Sequence, residues 1–193
     1  MKLIIASSNK GKLKEFSALL SPLGYEVYSA KEAGIDIEVE ETGKTFAENS
    51  ALKARAIYDI CKECVLADDS GLCVDALGGA PGVYSARYGG LESEKERTAL
   101  LLENMKDVPE DKRTAHFVCT IHFIYADGRE IAVEGRVDGK IAFEPTGENG
   151  FGYDPVFLYN GVSFASVSQE EKNQVSHRAN ALKALLGKLE KGE

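Results

Sequence analysis

The segment Val65-Leu66-Ala67-Asp68-Asp69-Ser70-Gly71-Leu72 runs from three apolar residues into two adjacent acids and a Ser-Gly pair. The apolar residues predict a buried strand that ends at Ala67, with the acids at its carboxyl end. Ligands collect at that edge of an α/β sheet, because its loops can vary while the sheet stays rigid. Asp68 and Asp69 are therefore candidates to hold a metal ion or a proton. An Asp-Ser-Gly turn whose side chains bond their own backbone explains the same residues, and this segment alone does not separate the two.

Strands and helices alternate on both sides of this segment. Hydrophobic periodicity predicts strands over residues 2–6, 25–30, 35–39, 114–125, 130–137, 141–143 and 156–159. It predicts helices over residues 13–20, 45–60 and 93–105 and at the C-terminus. Thr45 and Glu48 form a capping-box pattern, and Asp127-Gly128 and Asp138-Gly139 each predict a chain reversal. This order predicts an α/β protein in which antiparallel strands follow an alternating half.

Composition indicates one domain over residues 1–193, or two small lobes that share a sheet. The chain has 23 Lys and Arg against 31 Asp and Glu, and this charge of −8 argues against a broad nucleic-acid surface.

No apolar run is long enough to span a bilayer, and the start turns polar at Ser7, so we expect a cytoplasmic protein without a membrane partner. Cys61 and Cys64 lack the second pair that a zinc site needs, which favours reduced thiols over a redox role.

The loop after the first strand carries hydroxyl, amide and lysine groups immediately before a helix. Its residues are Ser7, Ser8, Asn9, Lys10, Gly11 and Lys12. Backbone N–H groups at the positive end of a helix attract anions and lysines add charge, so this loop is a candidate phosphate cradle. It lacks the spacing of a Walker sequence, and taken alone a solvated turn with surface lysines is the simpler explanation.

Three charged residues near the second helix are further candidates. Glu48 has a structural explanation, because acids are favoured in the first turn of a helix by its dipole. Glu41 precedes the helix and lacks that explanation. Lys53 lies about one helical turn beyond Glu48, where a surface ion pair and a phosphate contact both remain open.

Two segments in the last third of the chain could contact a base. Phe151, in Gly150-Phe151-Gly152-Tyr153-Asp154-Pro155, offers a face on which a base could stack, although it could equally plug the loop into the core. Lys172 and Ser176-His177-Arg178 lie at a helix boundary, where Ser176 could be an N-cap. Consecutive His and Arg could instead donate to a carbonyl oxygen.

Together these segments closely resemble the inosine and xanthosine triphosphate pyrophosphatase family, which clears nonstandard purine nucleotides. The similarity covers most of the chain, in five motifs that follow the family's order. The motifs are Ser8-Asn9-Lys10-Gly11-Lys12, then Glu41-Thr42-Gly43-x-Thr45-Phe46-x-Glu48-Asn49, then Ala67-Asp68-Asp69-Ser70-Gly71-Leu72 with Ala80-Pro81-Gly82-Val83-Tyr84-Ser85-Ala86-Arg87-Tyr88, then Gly150-Phe151-Gly152-Tyr153-Asp154-Pro155, and finally Lys172 with Ser176-His177-Arg178. Ser50 stands where the family often has Ala, and Ser166-Val167 where an acid is common.

The resemblance implies a two-lobed fold around a long mixed sheet flanked by helices, with the nucleotide in a cleft between the lobes, and a homodimer. It also implies Mg²⁺-dependent cleavage of ITP, dITP or XTP between the α and β phosphates, giving a monophosphate and pyrophosphate. Glu41 and Asp69 would hold Mg²⁺, since this ion takes few protein carboxylates and completes its shell with water and phosphate. Asp69 would also accept a proton from the attacking water, and Asp68 would orient Asp69 or the water.

The same resemblance implies roles for the remaining motif residues. Lys12, Lys53 and the backbone of the Ser7–Lys12 loop would neutralise phosphate charge, and Ser70 would join the substrate-binding residues. Gly152 and Tyr153 would also bind the substrate, and base recognition would fall to Phe151, Asp154, Lys172, His177 and Arg178. Phe151 would stack, and the charged residues would reach the base edge. Donors to the purine 6-oxygen lose their partner against adenine, which discriminates strongly.

Two other functions remain open at the level of sequence. One is a pyrophosphatase for pyrimidine or modified nucleotides, which a panel of bases would separate from the main hypothesis. The other is a nucleotide-sensing module without turnover. A pure anion binder gains nothing from the carboxylates around Glu41, Asp68 and Asp69, which weighs against the sensor.

Overall fold

The computed structural model describes residues 2–191, and all counts below refer to them. Its strands are β1 (Lys2–Ile5), β2 (Glu26–Ser29), β3 (Val65–Val74), β4 (Thr114–Ile124), β5 (Glu130–Ile141), β6 (Phe157–Tyr159) and β7 (Val162–Ser163). Its α-helices are α1 (Lys10–Leu20), α2 (Phe46–Cys61), α3 (Glu94–Asn104), α4 (Gln169–Val175) and α5 (His177–Lys191). Short 3-10 turns lie between them, the longest over Gly82–Gly90.

The strands form one seven-stranded mixed sheet in the order β2-β1-β3-β4-β5-β6-β7. β1 pairs in parallel with both β2 and β3, placing Ile4 opposite Tyr28 on one side and Val65 on the other. β6 pairs antiparallel with both β5 and β7. The predicted α/β class, with antiparallel strands after an alternating half, is therefore confirmed.

The chain divides into two compact units. The first unit comprises the residues up to Asp69, residues 119–135 and the residues from Arg178 onward. The second unit comprises residues 70–118 and 136–177. The division falls within β3, β4 and β5, so each of these strands contributes residues to both units.

The core of the first unit lies on both faces of its strands. Leu3 and Leu66 pack in a cluster with residues of α1 and α5, whereas Ile4 and Ala67 belong to a second cluster with residues of α2. Successive side chains of a strand point to opposite faces, so adjacent residues enter different clusters. This explains why β1 and the start of β3 are apolar throughout rather than alternating.

The core of the second unit is rich in aromatic side chains. Phe117 lies 4.6 Å from Phe157 between ring centroids, and Phe157 lies 5.0 Å from Phe164. Leu72, Leu101 and several other apolar side chains complete the same cluster. Tilted aromatic pairs of this kind favour the contact of ring edge with ring face.

Local sequence rules predict several element boundaries correctly. The Thr45 hydroxyl accepts from the Glu48 N–H at 3.2 Å, and the Glu48 carboxylate accepts from the Thr45 N–H at 3.1 Å, which confirms the capping box. The Asp127-Gly128 reversal between β4 and β5 is also confirmed, with the Gly128 N–H donating to the Tyr125 carbonyl. The helix predicted over residues 93–105 corresponds to α3, with Ser93 at its N-cap position.

Other boundaries differ from the prediction. β3 does not end at Ala67 but continues to Val74, so Asp68-Asp69-Ser70-Gly71 is strand rather than turn. Residues 35–39 form no strand, because the Ile35 N–H closes a turn to the Ala30 carbonyl. The predicted C-terminal helix, by contrast, is confirmed as α5, and α4 precedes it as a separate short helix.

The predicted reversal at Asp138-Gly139 is wrong, because β5 runs through it to Ile141. The Asp138 carboxylate accepts from the Arg136 guanidinium at 2.6 Å, a contact between neighbours on one strand face. A Cβ on Gly139 would lie 2.4 Å from the Leu158 carbonyl oxygen. Gly139 therefore serves the close approach of β6 and not a turn.

Two properties expected from the sequence can be compared with the described residues. Cys61, Cys64, Cys73 and Cys119 form no disulfide there. Within residues 2–191, no helix combines the length and the apolar character that a membrane span requires.

Arg113 fixes the end of α3 against β5 in the second unit without a carboxylate partner. Its guanidinium is 1% exposed and donates to the carbonyls of Met105, Val108, Ile141 and Ala142 at 2.7, 3.1, 2.9 and 2.8 Å. Buried carbonyls that lose a donor keep their full cost of desolvation. Arg113 is thus a structural residue.

Arg113→Met is expected to lower the free energy of unfolding by about 3 kcal/mol or more, because it leaves buried carbonyls without a donor. Arg136→Met is the control, since its guanidinium is exposed and its loss should cost less than about 1 kcal/mol. Urea unfolding followed by circular dichroism measures both. Equal midpoints for the two variants would contradict the role of Arg113.

Candidate active site

Asp68 and Asp69 are neighbours in β3 whose side chains enter different surroundings. Asp68 is fully buried, and its Oδ2 lies 2.9 Å from Lys12 Nζ and 3.7 Å from Arg178 Nε. Lys12 comes from the first turn of α1 and Arg178 from the start of α5. The first unit therefore surrounds one buried carboxylate with two cations from helices far apart in sequence.

The cations keep Asp68 ionised. Burial by itself would raise the pKa of this carboxyl, but Lys12, then Arg178 and Lys53, outweigh it and lower the pKa from 3.8 to about 2. The Sγ of Cys119 lies 3.9 Å from Asp68 Oδ2, and burial together with this charge raises the pKa of the thiol. Asp68 is consequently a fixed negative charge, and Cys119 stays protonated beside it.

Asp69 meets Glu41 and Lys53. Lys53 Nζ lies 2.8 Å from Glu41 Oε1 and 3.5 Å from Asp69 Oδ1. Burial raises the pKa of Asp69 above its ordinary value, Lys53 and Lys12 oppose this rise, and the Glu41 charge adds to it. Asp69 therefore holds a proton more readily than Asp68, although the two residues are adjacent.

Glu41 and Asp69 are the two carboxylates of this group that approach one cation. An oxygen of each carboxylate reaches the same ammonium group, so both oxygens converge on one cation. No group of three or more His, Cys, Asp or Glu side chains in the described part of the chain is arranged to hold a metal. Two carboxylates are as few protein ligands as Mg²⁺ takes when water and phosphate complete its shell.

The predicted phosphate loop leads into α1. Asn9 is the N-cap, and its Oδ1 accepts from the Lys12 N–H at 3.0 Å. Ser8, Asn9 and Lys10 are exposed, whereas the Lys12 side chain turns inward to Asp68. The loop therefore presents a helix N-terminus at the surface, with a lysine charge below it.

Two buried residues of this group were not assigned a role from the sequence. Glu15 accepts from Arg178 at 2.7 Å and is 1% exposed. Asn49 is fully buried and donates from Nδ2 to Asp69 Oδ2 at 3.1 Å. Glu15 lies three positions after Lys12 and so on the same helix face, and Asn is a poor residue for a helix interior; both signals were present in the sequence.

The second unit brings Phe151, Asp154 and Lys172 together. Lys172 Nζ lies 2.6 Å from Asp154 Oδ2, and both side chains are almost fully buried. Asp154 Oδ2 also accepts from the Phe151 N–H at 2.9 Å, and Lys172 Nζ lies 4.9 Å from the centre of the Phe151 ring. A Cβ on Gly150 would lie 2.1 Å from the same Asp154 oxygen, so a glycine is required there. The ion pair thus fixes the backbone that carries Phe151.

The other predicted substrate-binding residues of the second unit have defined surroundings as well. The Tyr153 hydroxyl donates to the Ser85 carbonyl at 2.9 Å, and burial raises the pKa of this hydroxyl. The Gly152 N–H donates to Glu94 at 2.9 Å. The His177 ring is buried and stacks on Phe117 with 4.7 Å between centroids, while Ser70 lies half-buried in β3.

Arg178 is placed differently from its neighbour His177. Its side chain is buried in the first unit between Glu15 and Asp68. The two carboxylates raise the pKa of this guanidinium against the opposing effect of burial. A contact of Arg178 with a base edge stays a prediction.

The profile of the Ham1 family matches residues 3–188, nearly the whole chain. The chain belongs to the Ham1 family. Among Ham1 relatives, the dITP/XTP pyrophosphatase of Exiguobacterium sibiricum is 48% identical over 96% of this chain and 95% of its own length. The dITP/XTP pyrophosphatase of Bacillus subtilis is 46% identical over 97% of this chain and 96% of its own length. The structure of the Ham1 protein of Staphylococcus aureus covers all of both chains at 41% identity with a TM-score of 0.88.

The contacts of Asp68 and Asp69 predict that neutralising each residue destabilises the fold by a very different amount. Asp68→Asn leaves Lys12 and Arg178 with less buried negative charge and should lower the free energy of unfolding by about 3–5 kcal/mol. Asp69→Asn should cost about 1 kcal/mol or less, because burial already disfavours the ionised form of that residue.

Denaturant unfolding of both variants at pH 7 checks this difference. Asp127→Asn, in the exposed turn after β4, controls for the loss of a carboxylate as such. A similar loss of stability in the Asp68 and Asp69 variants would show that the two sites are energetically alike.

Proposed function

We propose that this chain hydrolyses the nonstandard purine nucleoside triphosphates ITP, dITP and XTP to the monophosphate and pyrophosphate. This reaction removes deaminated purines from the nucleotide pool before they enter DNA or RNA. The observation that carries the proposal is the near-complete match to relatives named dITP/XTP pyrophosphatases, combined with the convergence of Glu41, Lys53 and Asp69 in the first unit. A nucleoside triphosphate is accordingly the substrate class.

In this proposal, residues of the first unit act on the triphosphate. Asp69 accepts the proton of the attacking water. Lys12, Lys53 and the N–H groups at the start of α1 neutralise charge on the phosphate oxygens, because phosphoryl transfer depends on positioning and electrostatics. Asp68 acts indirectly, because its buried charge holds the Lys12 ammonium in place.

Mg²⁺ is the proposed cofactor. Glu41 and Asp69 would hold it, in line with the convergence of their oxygens on one cation. Bound there, Mg²⁺ supplies positive charge to the phosphate groups. Lys53 keeps the two carboxylates charge-compensated from the protein side.

Residues of the second unit are proposed to recognise the base. Phe151 offers its ring for stacking, and the buried Asp154–Lys172 pair holds its backbone. Lys172 and His177 are the proposed donors toward the purine 6-oxygen. Such donors would lose their partner against adenine.

Hydrolysis of ITP, XTP, dITP, GTP, ATP and dTTP, with and without Mg²⁺, tests the function. We expect metal-dependent release of pyrophosphate from ITP, XTP and dITP, and little release from ATP or GTP. EDTA should stop the reaction and added Mg²⁺ restore it. Asp69→Asn should lower kcat by about 100-fold or more, the usual contribution of a general base.

Each alternative has its own outcome in this assay. Diphosphate and phosphate as products would overturn cleavage between the α and β phosphates. Preference for dTTP would indicate a pyrimidine enzyme, and binding without product would indicate a sensor. Asp127→Asn serves as the control for Asp69→Asn and should keep the wild-type rate, since Asp127 lies in an exposed turn.

Phe151→Leu is expected to raise KM about 10-fold for ITP and XTP alike, because stacking on an aromatic ring does not depend on the identity of the base. The kcat should change little, since Phe151 lies outside the group that acts on the phosphates. Phe143→Leu is the control, a ring that is 60% exposed in the same unit. Steady-state kinetics with both substrates measure this, and an unchanged KM would remove Phe151 from base binding.

We also infer a homodimer and a cytoplasmic location. The resemblance to the pyrophosphatase family supports the former, and the absence of an apolar run long enough to span a bilayer supports the latter.

A further inference from the structure

Asn49 is a polar residue in the first turn of α2 with no access to solvent. Its Oδ1 accepts from the Gly43 N–H at 2.8 Å, and its Nδ2 donates to Asp69 Oδ2 at 3.1 Å. A buried amide whose oxygen and nitrogen are both bonded is held in one orientation. Asn49 therefore links the backbone of Gly43 to the carboxylate of Asp69 in β3.

The chemistry of the two partners fixes which end of the amide faces which. A backbone N–H can only donate, so the side-chain oxygen must face Gly43. The NH₂ group then faces Asp69, where it needs an unprotonated carboxylate oxygen as acceptor. The amide thus orients Asp69 as well as contacting it.

Residues 43–45, which begin two positions after Glu41, are held by the first turn of α2. Besides the Gly43 bond, the N–H groups of Lys44 and Thr45 donate to Glu48 Oε2 at 2.6 and 3.1 Å. A Cβ on Gly43 would lie 2.5 Å from Asn49 Oδ1, so this close approach requires glycine. Three consecutive backbone groups that follow Glu41 therefore have fixed partners.

We propose that Asn49 is a positioning residue: its single amide sets the location of Asp69 relative to the segment that carries Glu41, and so sets how these two carboxylates meet. The inference rests on the proposed function, in which Glu41 and Asp69 hold the metal and Asp69 accepts the proton. Asn49 itself touches Asp69 and the backbone, and it acts on the reaction through them.

Three variants separate this role from ordinary packing. Asn49→Ala removes both bonds. Asn49→Asp keeps the shape and an acceptor for Gly43 but places a second carboxyl against Asp69 in place of the amide donor, and it guards against a failure of Asn49→Ala to fold. Ser50→Ala is the matched control, because Ser50 is the adjacent buried polar residue and its hydroxyl donates only within the helix, to the Ala47 carbonyl.

Steady-state kinetics with ITP at saturating Mg²⁺ provide the first readout. We expect kcat to fall about 100-fold in both Asn49 variants, the usual effect of a displaced catalytic group, while KM changes by less than about 3-fold. Ser50→Ala should match the wild type in both constants. A residue that only stabilised the fold would lower the amount of active protein and leave the kcat of the folded fraction of Asn49→Ala near the wild type.

Binding of Mn²⁺ alone, counted as the loss of the free-ion signal in electron paramagnetic resonance, provides a readout without turnover. We expect Asn49→Ala to bind Mn²⁺ about 10-fold more weakly than the wild type and Ser50→Ala. Circular dichroism and thermal unfolding confirm that the compared variants are folded.

The two readouts keep this inference distinct from the proposed function. A wild-type protein that binds Mn²⁺ but releases no pyrophosphate from ITP contradicts the function, and the Mn²⁺ comparison then decides on Asn49. A wild type that is active but binds no Mn²⁺ without nucleotide leaves the decision to kcat. Wild-type behaviour of a folded Asn49→Ala in the deciding readout overturns the positioning role.

Discussion

A carboxylate stays ionised in a protein interior only when cations lie against it, and Asp68 is fully buried. The Lys12 ammonium meets this requirement from α1, and the Arg178 guanidinium from α5. Arg178 also pairs with Glu15, so positive and negative side chains alternate through the interior of the first unit. These contacts tie two helices from opposite ends of the sequence to β3. The arrangement of the first unit therefore depends on one charge as much as on its apolar clusters.

Asp69 shows what the same strand does for chemistry. Its side chain meets Lys53, Asn49 and the Glu41 charge, and its pKa is raised where that of Asp68 is lowered. Successive strand residues face opposite ways, so adjacent carboxylates can have opposite protonation behaviour without any change in the backbone. One acid is available to hold structure, and the other is available to exchange protons or ligands.

Features that depend on neighbours in sequence were predictable. Thr45 with Glu48 and Asp127 with Gly128 each act within a few residues, and hydrophobic periodicity located most of the strands and helices. The pair Asp68-Asp69 was recognisable as a candidate site, although its strand runs on to Val74. The site roles taken from family resemblance stay predictions.

Features that depend on distant partners were not predictable. Nothing near Asn49 or Glu15 in the sequence names Asp69 or Arg178 as a partner, because folding alone brings them together. Asp138-Gly139 has the composition of a turn, yet Gly139 is required by the approach of Leu158 in another strand. In each of these cases the deciding contact joins residues that lie at least 19 positions apart.

The alternation along β3 also constrains how this gene can change in length. One inserted or deleted codon just before Asp68 would rotate both acids to the opposite face of the sheet. Asp68 would then lie on the side of the sheet that now surrounds Asp69, away from Lys12 and Arg178. Asp69 would in turn lie on the side that now surrounds Asp68. Substitutions in β3 can be graded in effect, but a single-residue insertion or deletion exchanges two environments at once. Residues in the exposed turn at Asp127-Gly128 do not alternate between two faces of a sheet, so the chain can accept a longer loop there.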